Sequence, residues 1–340
     1  MLNRKGRVSE ENRQLVLEII EKCNYTPNLA ARSLKSHQSR LISVIVPHLR
    51  SGEFKDNPFF WQIISAIEVG AHGERFHVIL TGTPDSEDPD PILGRNLDGV
   101  IAIGVDENST LFSTLDDQDI PCVFVDSHIT RTKVCHVSSD DKLGGYLGTK
   151  YLTSLGYERV ILVTGAEGNI EETSGVDYWR WLGYRQALEE GGIDYDPGLV
   201  IGGGATVRGG YHAAQRIFRL ISRETAVFVL SDIAAMGTIR GLTELGVPVP
   251  KHVSVMGYDD IFYAGYMQPS LTTIRQNIHL KGKRAINMLV RQIEGKTISE
   301  KHAVLPVELV VRTSTRNLER YRIDKQYATE HEKSPAQGCP

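Results

Sequence analysis

From Leu41 onward, short apolar runs alternate with longer stretches in which apolar residues return at helical spacing. The short runs predict strands at 41–47, 76–81, 99–104, 121–125, 159–164, 226–231 and 253–258. The longer stretches predict helices at about 57–73, 108–118, 141–155, 178–191, 208–223, 233–246 and 277–293. Strands that are apolar throughout and separated by helices belong in parallel sheets covered on both faces, so the pattern predicts an α/β fold. It divides into a run over about 41–158 and a second from Val160 to about Thr273, which predicts two lobes. The helix at 277–293 and late strands near 303–312 are left over from both runs. Ahead of them a helix is predicted over about 9–23. Ser9 can cap it, Glu10 and Glu11 suit the positive end of its dipole, and Leu15, Val16, Ile19 and Ile20 share one face. So short an element needs partner helices.

A chain of 340 residues with 41% apolar content can bury a substantial core and hold more than one domain. No apolar run is long enough to cross a bilayer, and the N-terminus lacks the order of a signal peptide, so a cytoplasmic protein is expected. Cys23, Cys122, Cys135 and Cys339 are far apart and form no CxxC pair. They read as free thiols, with no zinc site, disulfide framework or cofactor implied. Charge adds an asymmetry. Residues 1–40 carry eight Lys/Arg against four Asp/Glu, which leaves the remaining 300 residues net acidic. A basic head on an acidic body fits phosphate contacts made at one end, though a solvated basic helix would look the same.

The basic head ends in Tyr25-Thr26-Pro27-Asn28-Leu29-Ala30-Ala31-Arg32-Ser33-Leu34-Lys35, shortly before the first apolar strand. This stretch resembles the hinge of the lactose-repressor family of bacterial transcription regulators, with its Tyr-x-Pro-Asn, Ala, Leu and Ser. The resemblance implies a two-lobed, periplasmic-binding-protein-like (type I) domain preceded by a partial helical DNA-binding headpiece. It divides the chain into a headpiece remnant at 1–26, hinge helix and linker at 27–40, an N-lobe at 41–158 plus 277–304, a C-lobe at 159–276 plus 305–315, and a disordered tail at 316–340. Paired hinge helices of a homodimer would lie on DNA, with Leu34 wedged between base pairs and Asn28, Ala31, Arg32 and Lys35 on the same face or on backbone. The opening residues, Met1 to Ser9, look like the end of the family's base-reading helix and the loop after it. Either the true start lies upstream or the headpiece is truncated; for the chain as written, duplex binding is expected to be weak, non-specific and strongly salt-dependent.

The same resemblance places a small-molecule effector between the lobes. Phe59 and Phe60, in Asn57-Pro58-Phe59-Phe60-Trp61, would present aromatic faces to it or pack in the core. Asp140-Asp141-Lys142-Leu143-Gly144-Gly145 matches the family's Asp-Asn-x-x-Gly-Gly turn, with Asp141 in place of Asn and a helix-capping role expected. Arg180, in Arg180-Trp181-Leu182-Gly183, matches an arginine that hydrogen-bonds the ligand; its rigid fork of donors suits vicinal hydroxyls or a carboxylate. Ser174 lies in the loop before it. Ser231-Asp232 stands where the family has Asn-Asp, at the carboxyl edge of a parallel sheet, and Asp232 is assigned to the effector. Gly257-Tyr258-Asp259-Asp260 supplies Asp259 as acceptor for sugar hydroxyls or a purine nitrogen, and Gln276 follows at the crossing back to the first lobe. The aromatic expected near Ala205 is missing, so either the ligand is bulkier there or Tyr178 or Trp179 would stack instead.

These residues make a sugar or sugar derivative the expected effector, with a purine or phosphosugar still open. A sugar-binding protein without sequence-specific DNA binding, and a binding protein feeding a transporter, are competing readings. An enzyme is a third, but no GxGxxG after an early strand, Walker loop, HExxH or GxSxG is present, and the glycines at 202–204 lack Rossmann spacing.

Overall fold

The computed structural model describes residues 9–23, 38–46, 57–82, 96–117, 120–131, 133–166, 168–222 and 224–318. The first helix, α1 (Glu10–Lys22), starts at the expected cap, where the Ser9 side chain accepts from the Asn12 amide. The hinge stretch at 24–37 lies outside the described residues.

Two six-stranded sheets follow. The first comprises β1 (Leu41–Val46), β2 (His77–Gly82), β3 (Gly99–Ile103), β4 (Cys122–Val125), β5 (Cys135–Ser139) and β11 (His302–Leu305), ordered β11-β5-β4-β3-β1-β2 and parallel throughout. Helices α2 (Pro58–Gly73) and α8 (Ile278–Ile293) pack together over one face, and α3 (Thr110–Asp117) covers the other. The second sheet comprises β6 (Arg159–Thr164), β7 (Val200–Gly202), β8 (Thr225–Val229), β9 (Ser254–Asp259), β10 (Thr272–Gln276) and β12 (Val307–Val310), ordered β12-β10-β9-β8-β6-β7, with β12 alone antiparallel. Here α4 (Asp141–Ser154) and α5 (Val176–Glu190) cover one face, and α6 (Val207–Leu220) and α7 (Asp232–Glu244) the other.

The chain crosses between lobes three times, between Ser139 and Asp141, between Gln276 and Ile278, and between Leu305 and Val307. The first crossing corrects the boundary expected near 158. Helix α4 turns its apolar face, including Leu152, to the C-lobe strands β6, β8, β10 and β12. Periodicity had placed a helix there but could not say which sheet it covers. The C-lobe also extends past 316, where a disordered tail was expected to begin. Leu318 is buried in the C-lobe core, and its amide bonds the Leu155 carbonyl.

Reciprocal glycines fix the α4–α5 crossing. A Cβ on Gly145 would sit 1.9 Å from the Arg180 carbonyl oxygen, and one on Gly183 would sit 1.9 Å from that of Lys142. Only glycine permits so close a backbone approach. The Gly-Gly turn and the Arg-x-x-Gly segment are therefore two halves of one contact, and that contact sets where Arg180 emerges.

Candidate functional site

Strands β5, β10 and β11 end at the lobe crossings, and four non-glycine residues just after β4 and at the end of β9 have positive φ: Asp126 (53°), His128 (39°), Asp259 (116°) and Asp260 (56°). Such backbone costs on the order of 1–3 kcal/mol per residue and persists where surrounding contacts dictate it.

The contacts form two buried knots. In the first, Arg180 projects from α5 and donates from Nε to Asp141 Oδ1 at 2.8 Å and from Nη1 to the Leu230 carbonyl at 2.8 Å. Its guanidinium lies 3.7 Å from the Tyr258 ring centroid, and the Tyr258 hydroxyl donates to Asp141 Oδ1 at 3.3 Å. Gly144 makes room for that hydroxyl, since a Cβ there would come within 2.1 Å of it. From the N-lobe, His128 Nε2 meets Asp141 Oδ2 at 2.7 Å, and the His128 ring stacks on Trp179 at 5.5 Å. Burial pushes the Asp141 carboxyl up, but Arg180 and His128 outweigh it and hold the group ionised, below its ordinary value. Asp141 thus departs from its expected role. Asp140 caps α4 by accepting from the Leu143 amide, which frees Asp141 to pair with Arg180.

In the second knot, Lys281 rises from the buried face of α8 with 0% exposure. Its ammonium donates to both Asp126 oxygens, at 2.6 and 2.8 Å, and to Gln276 Oε1 at 2.5 Å. Ser139 Oγ also donates to Gln276 Oε1 at 3.0 Å, and Gln276 Nε2 donates to Asp259 Oδ1 at 2.6 Å. Burial raises the Asp259 carboxyl to about 7, although Arg180, Gln276 and Lys281 pull it down. The neighbouring Asp260 points elsewhere and binds Arg275 and Arg312.

The structure therefore gathers Arg180, Asp259 and Gln276 at the lobe junction. Phe59 joins them, since it packs against the cores of both lobes and lies 5.6 Å from the Lys281 ammonium. Phe60 packs against the N-lobe core and edge-on to Phe59. Ser174 contacts Asp106 of the N-lobe, so it bridges the lobes at an exposed rim. Asp232 differs from expectation. It is fully buried, accepts from the Ile261 amide at 2.9 Å and Thr273 at 2.6 Å, and so builds the turn that carries Asp259 instead of facing a ligand. Beside it, Ser231 Oγ is buried with no hydrogen-bond partner among the described residues and does not cap α7. Of the two stacking candidates, Trp179 pairs with His128, while Tyr178 packs beside Trp181 in the C-lobe core.

Sequence reasoning missed Asp126, His128 and Lys281. Lys281 left a signal: a lysine in register with Ile278, Ala285 and Ile286 on the apolar stripe of its helix. The DNA-contact residues Asn28, Ala31, Arg32, Leu34 and Lys35 lie outside the described residues.

Comparison with known proteins places this architecture. The family described as "Periplasmic binding protein-like domain" matches residues 149–315. The HTH-type transcriptional repressor PurR of Vibrio atlanticus (strain LGP32) is 30% identical over 324 residues, covering 94% of this chain and 94% of that protein. Among solved structures, a complex of the transcriptional regulator CelR with cellobiose is similar with a TM-score of 0.74 and 26% identity, over 92% of this chain and 93% of that one. A LacI family transcriptional regulator from Enterococcus faecium with bound ribose is similar with a TM-score of 0.69 and 29% identity, over 82% of this chain and 99% of that one.

Proposed function

The chain belongs to the lactose-repressor family of transcription regulators, and from that membership we propose that it is a cytoplasmic repressor whose hold on DNA is set by a sugar or sugar derivative bound between its lobes. The observation that carries the ligand reading is the convergence of unspent hydrogen-bonding groups at the lobe junction. Asp259 keeps Oδ2, and Arg180 keeps Nη2, without a protein partner among the described residues, and Ser231 Oγ is buried with none. Acceptor, donor and hydroxyl match the edges of a polyol, and Phe59, packed against both lobes, offers an aromatic face. Relatives similar over nearly their whole length are repressors, which speaks against a sugar-binding protein with no role on DNA.

The ligand acts through the lobes. It shifts the open–closed equilibrium only by its differential affinity for the two states, and the hinge segment responds. In this reading Asn28, Ala31, Arg32, Leu34 and Lys35 carry the DNA contact. Phosphate contacts by a basic segment make affinity fall steeply with salt. A homodimer is supported by aromatic surface on both lobes. Phe262 and Tyr266 are 65% and 77% exposed, and a groove of about 680 Å³ between Trp61 and Phe262 runs from α2 to the loop after β9.

Calorimetric titration with mono- and disaccharides, nucleobases and phosphosugars tests the ligand. Sugar binding that Asp259→Asn abolishes and Ser231→Ala weakens is expected. Binding of nucleobases alone, or sugar binding indifferent to Asp259→Asn, would reject it. Loss of duplex binding in Leu34→Ala tests the hinge.

A further inference from the structure

Lys281 has no counterpart in the ligand reading above, yet it is fully buried and sits beside the lobe crossings. Its one non-carboxylate hydrogen-bond partner among the described residues, Gln276, is the last residue of β10, and Ser139, which donates to the same amide oxygen, is the last residue of β5; the two mark two of the three crossings. We propose that Lys281 is a positioning residue: its ammonium fixes the Gln276 amide so that Asp259 faces the effector as a hydrogen-bond acceptor, tying the effector-binding carboxylate of the C-lobe to the N-lobe. The inference rests on the cleft being the effector site.

The orientation follows from donor and acceptor arithmetic. A lysine ammonium only donates, so the amide atom 2.5 Å from it must be the oxygen. Ser139 donates to the same oxygen. The amide nitrogen is thereby turned to Asp259, whose Oδ1 must accept, and Oδ2 is left for a ligand donor. Lys281 itself is spent. Its three protons meet the two oxygens of Asp126 and the Gln276 oxygen, so none remains for an anion. This lysine therefore selects hydroxyl donors through Asp259 and does not recruit a phosphate. Removing it frees Gln276 to rotate and offer its oxygen to Asp259, which repels an ionised carboxylate.

The charged groups around Asp259 are Arg180 from α5, Lys281 from α8, Asp126 after β4 and Asp232 at the start of α7. A carboxyl raised by folding stabilises the protein below its unfolded value, and that stability is lost as pH rises through the folded value. Thermal stability referenced to Asp259→Asn should therefore decline with rising pH and level off near pH 7.

The experiment measures unfolding of the full chain from pH 5 to 9, without ligand, for the wild type, Lys281→Met and the charge-balanced pair Lys281→Met/Asp126→Asn, each with and without Asp259→Asn. The levelling-off should move up by about one pH unit in Lys281→Met. It should stay raised in the charge-balanced pair, because there the amide is released while the nearby charges largely offset. A return of the pair to the wild-type profile would reduce Lys281 to a local charge and overturn the positioning role. No ligand enters this test, so its failure is separable from failure of the cleft assignment, which the titrations decide.

Discussion

The cleft holds two buried cations of similar placement and opposite legibility. Arg180 stands on a C-lobe helix, pairs with Asp141 of the same lobe, and is approached from the N-lobe by His128. Lys281 stands on an N-lobe helix, pairs with Asp126 of the same lobe, and is linked through Gln276 to Asp259 of the C-lobe. Each knot is closed within one lobe and touched from the other. They differ in what they spend. The arginine keeps Nη2 for a ligand, whereas the lysine ammonium has no donor left. One cation serves recognition directly. The other serves it through an amide.

Breaking each pair separates the two. Asp141→Ala should cost the most, about 4 kcal/mol in chemical denaturation, because it strands a buried guanidinium and removes the partner of His128 and Tyr258 as well. Asp126→Ala leaves Lys281 still bonded to Gln276, so its cost should be smaller, about 3 kcal/mol. Equal losses would mean that the secondary partners of Asp141 contribute little.

The difference between the knots also marks what the sequence could reveal. Apolar strands such as Leu41–Val46 and Arg159–Thr164 were legible because a strand buried on both faces must be apolar along its length. Strand β5 was not, since Cys135–Ser139 carries polar groups, and Ser139 is spent on the Gln276 amide. Arg180 was legible through Gly183, whose missing side chain is required by the α4–α5 crossing. Lys281 is marked only by its place on an apolar helix stripe, which signals burial but not its partners. Its partners lie 155 residues earlier and 5 residues earlier in the chain, and only the three crossings bring them together. The cluster at the lobe junction is a product of topology, and a helical pattern cannot say which sheet a helix will cover, as α4 shows.

Gly183→Ala probes the recognition knot without touching its charges. The added methyl would fall 1.9 Å from the Lys142 carbonyl oxygen, so α4 and α5 must separate. Overpacking of this kind costs about 1–3 kcal/mol. It should also displace Arg180 from Asp141, so sugar affinity should fall further than in a surface variant of equal stability. Retained affinity in calorimetry would show that the helix crossing tolerates the shift.

The smallest effect is expected at His128, where stability and lobe closure should part company. His128 reaches from the N-lobe to two C-lobe groups, bonding Asp141 at 2.7 Å and stacking on Trp179. Asp141 keeps Arg180 without it, so His128→Ala should lower unfolding stability by only about 1 kcal/mol. The two lobes, however, lose one direct side-chain link, while among the described residues the Ser174–Asp106, Ser139–Gln276 and Lys281–Gln276 contacts remain. Small-angle scattering of the ligand-free variant should then show a larger radius of gyration than the wild type. His128→Phe keeps the stacking and discards the bond to Asp141, so it divides the two contributions. A phenylalanine variant as open as the alanine variant would assign closure to the histidine–carboxylate contact. One as closed as the wild type would assign it to the ring on Trp179, and the recognition knot would then be independent of the N-lobe in a way the Lys281 knot is not.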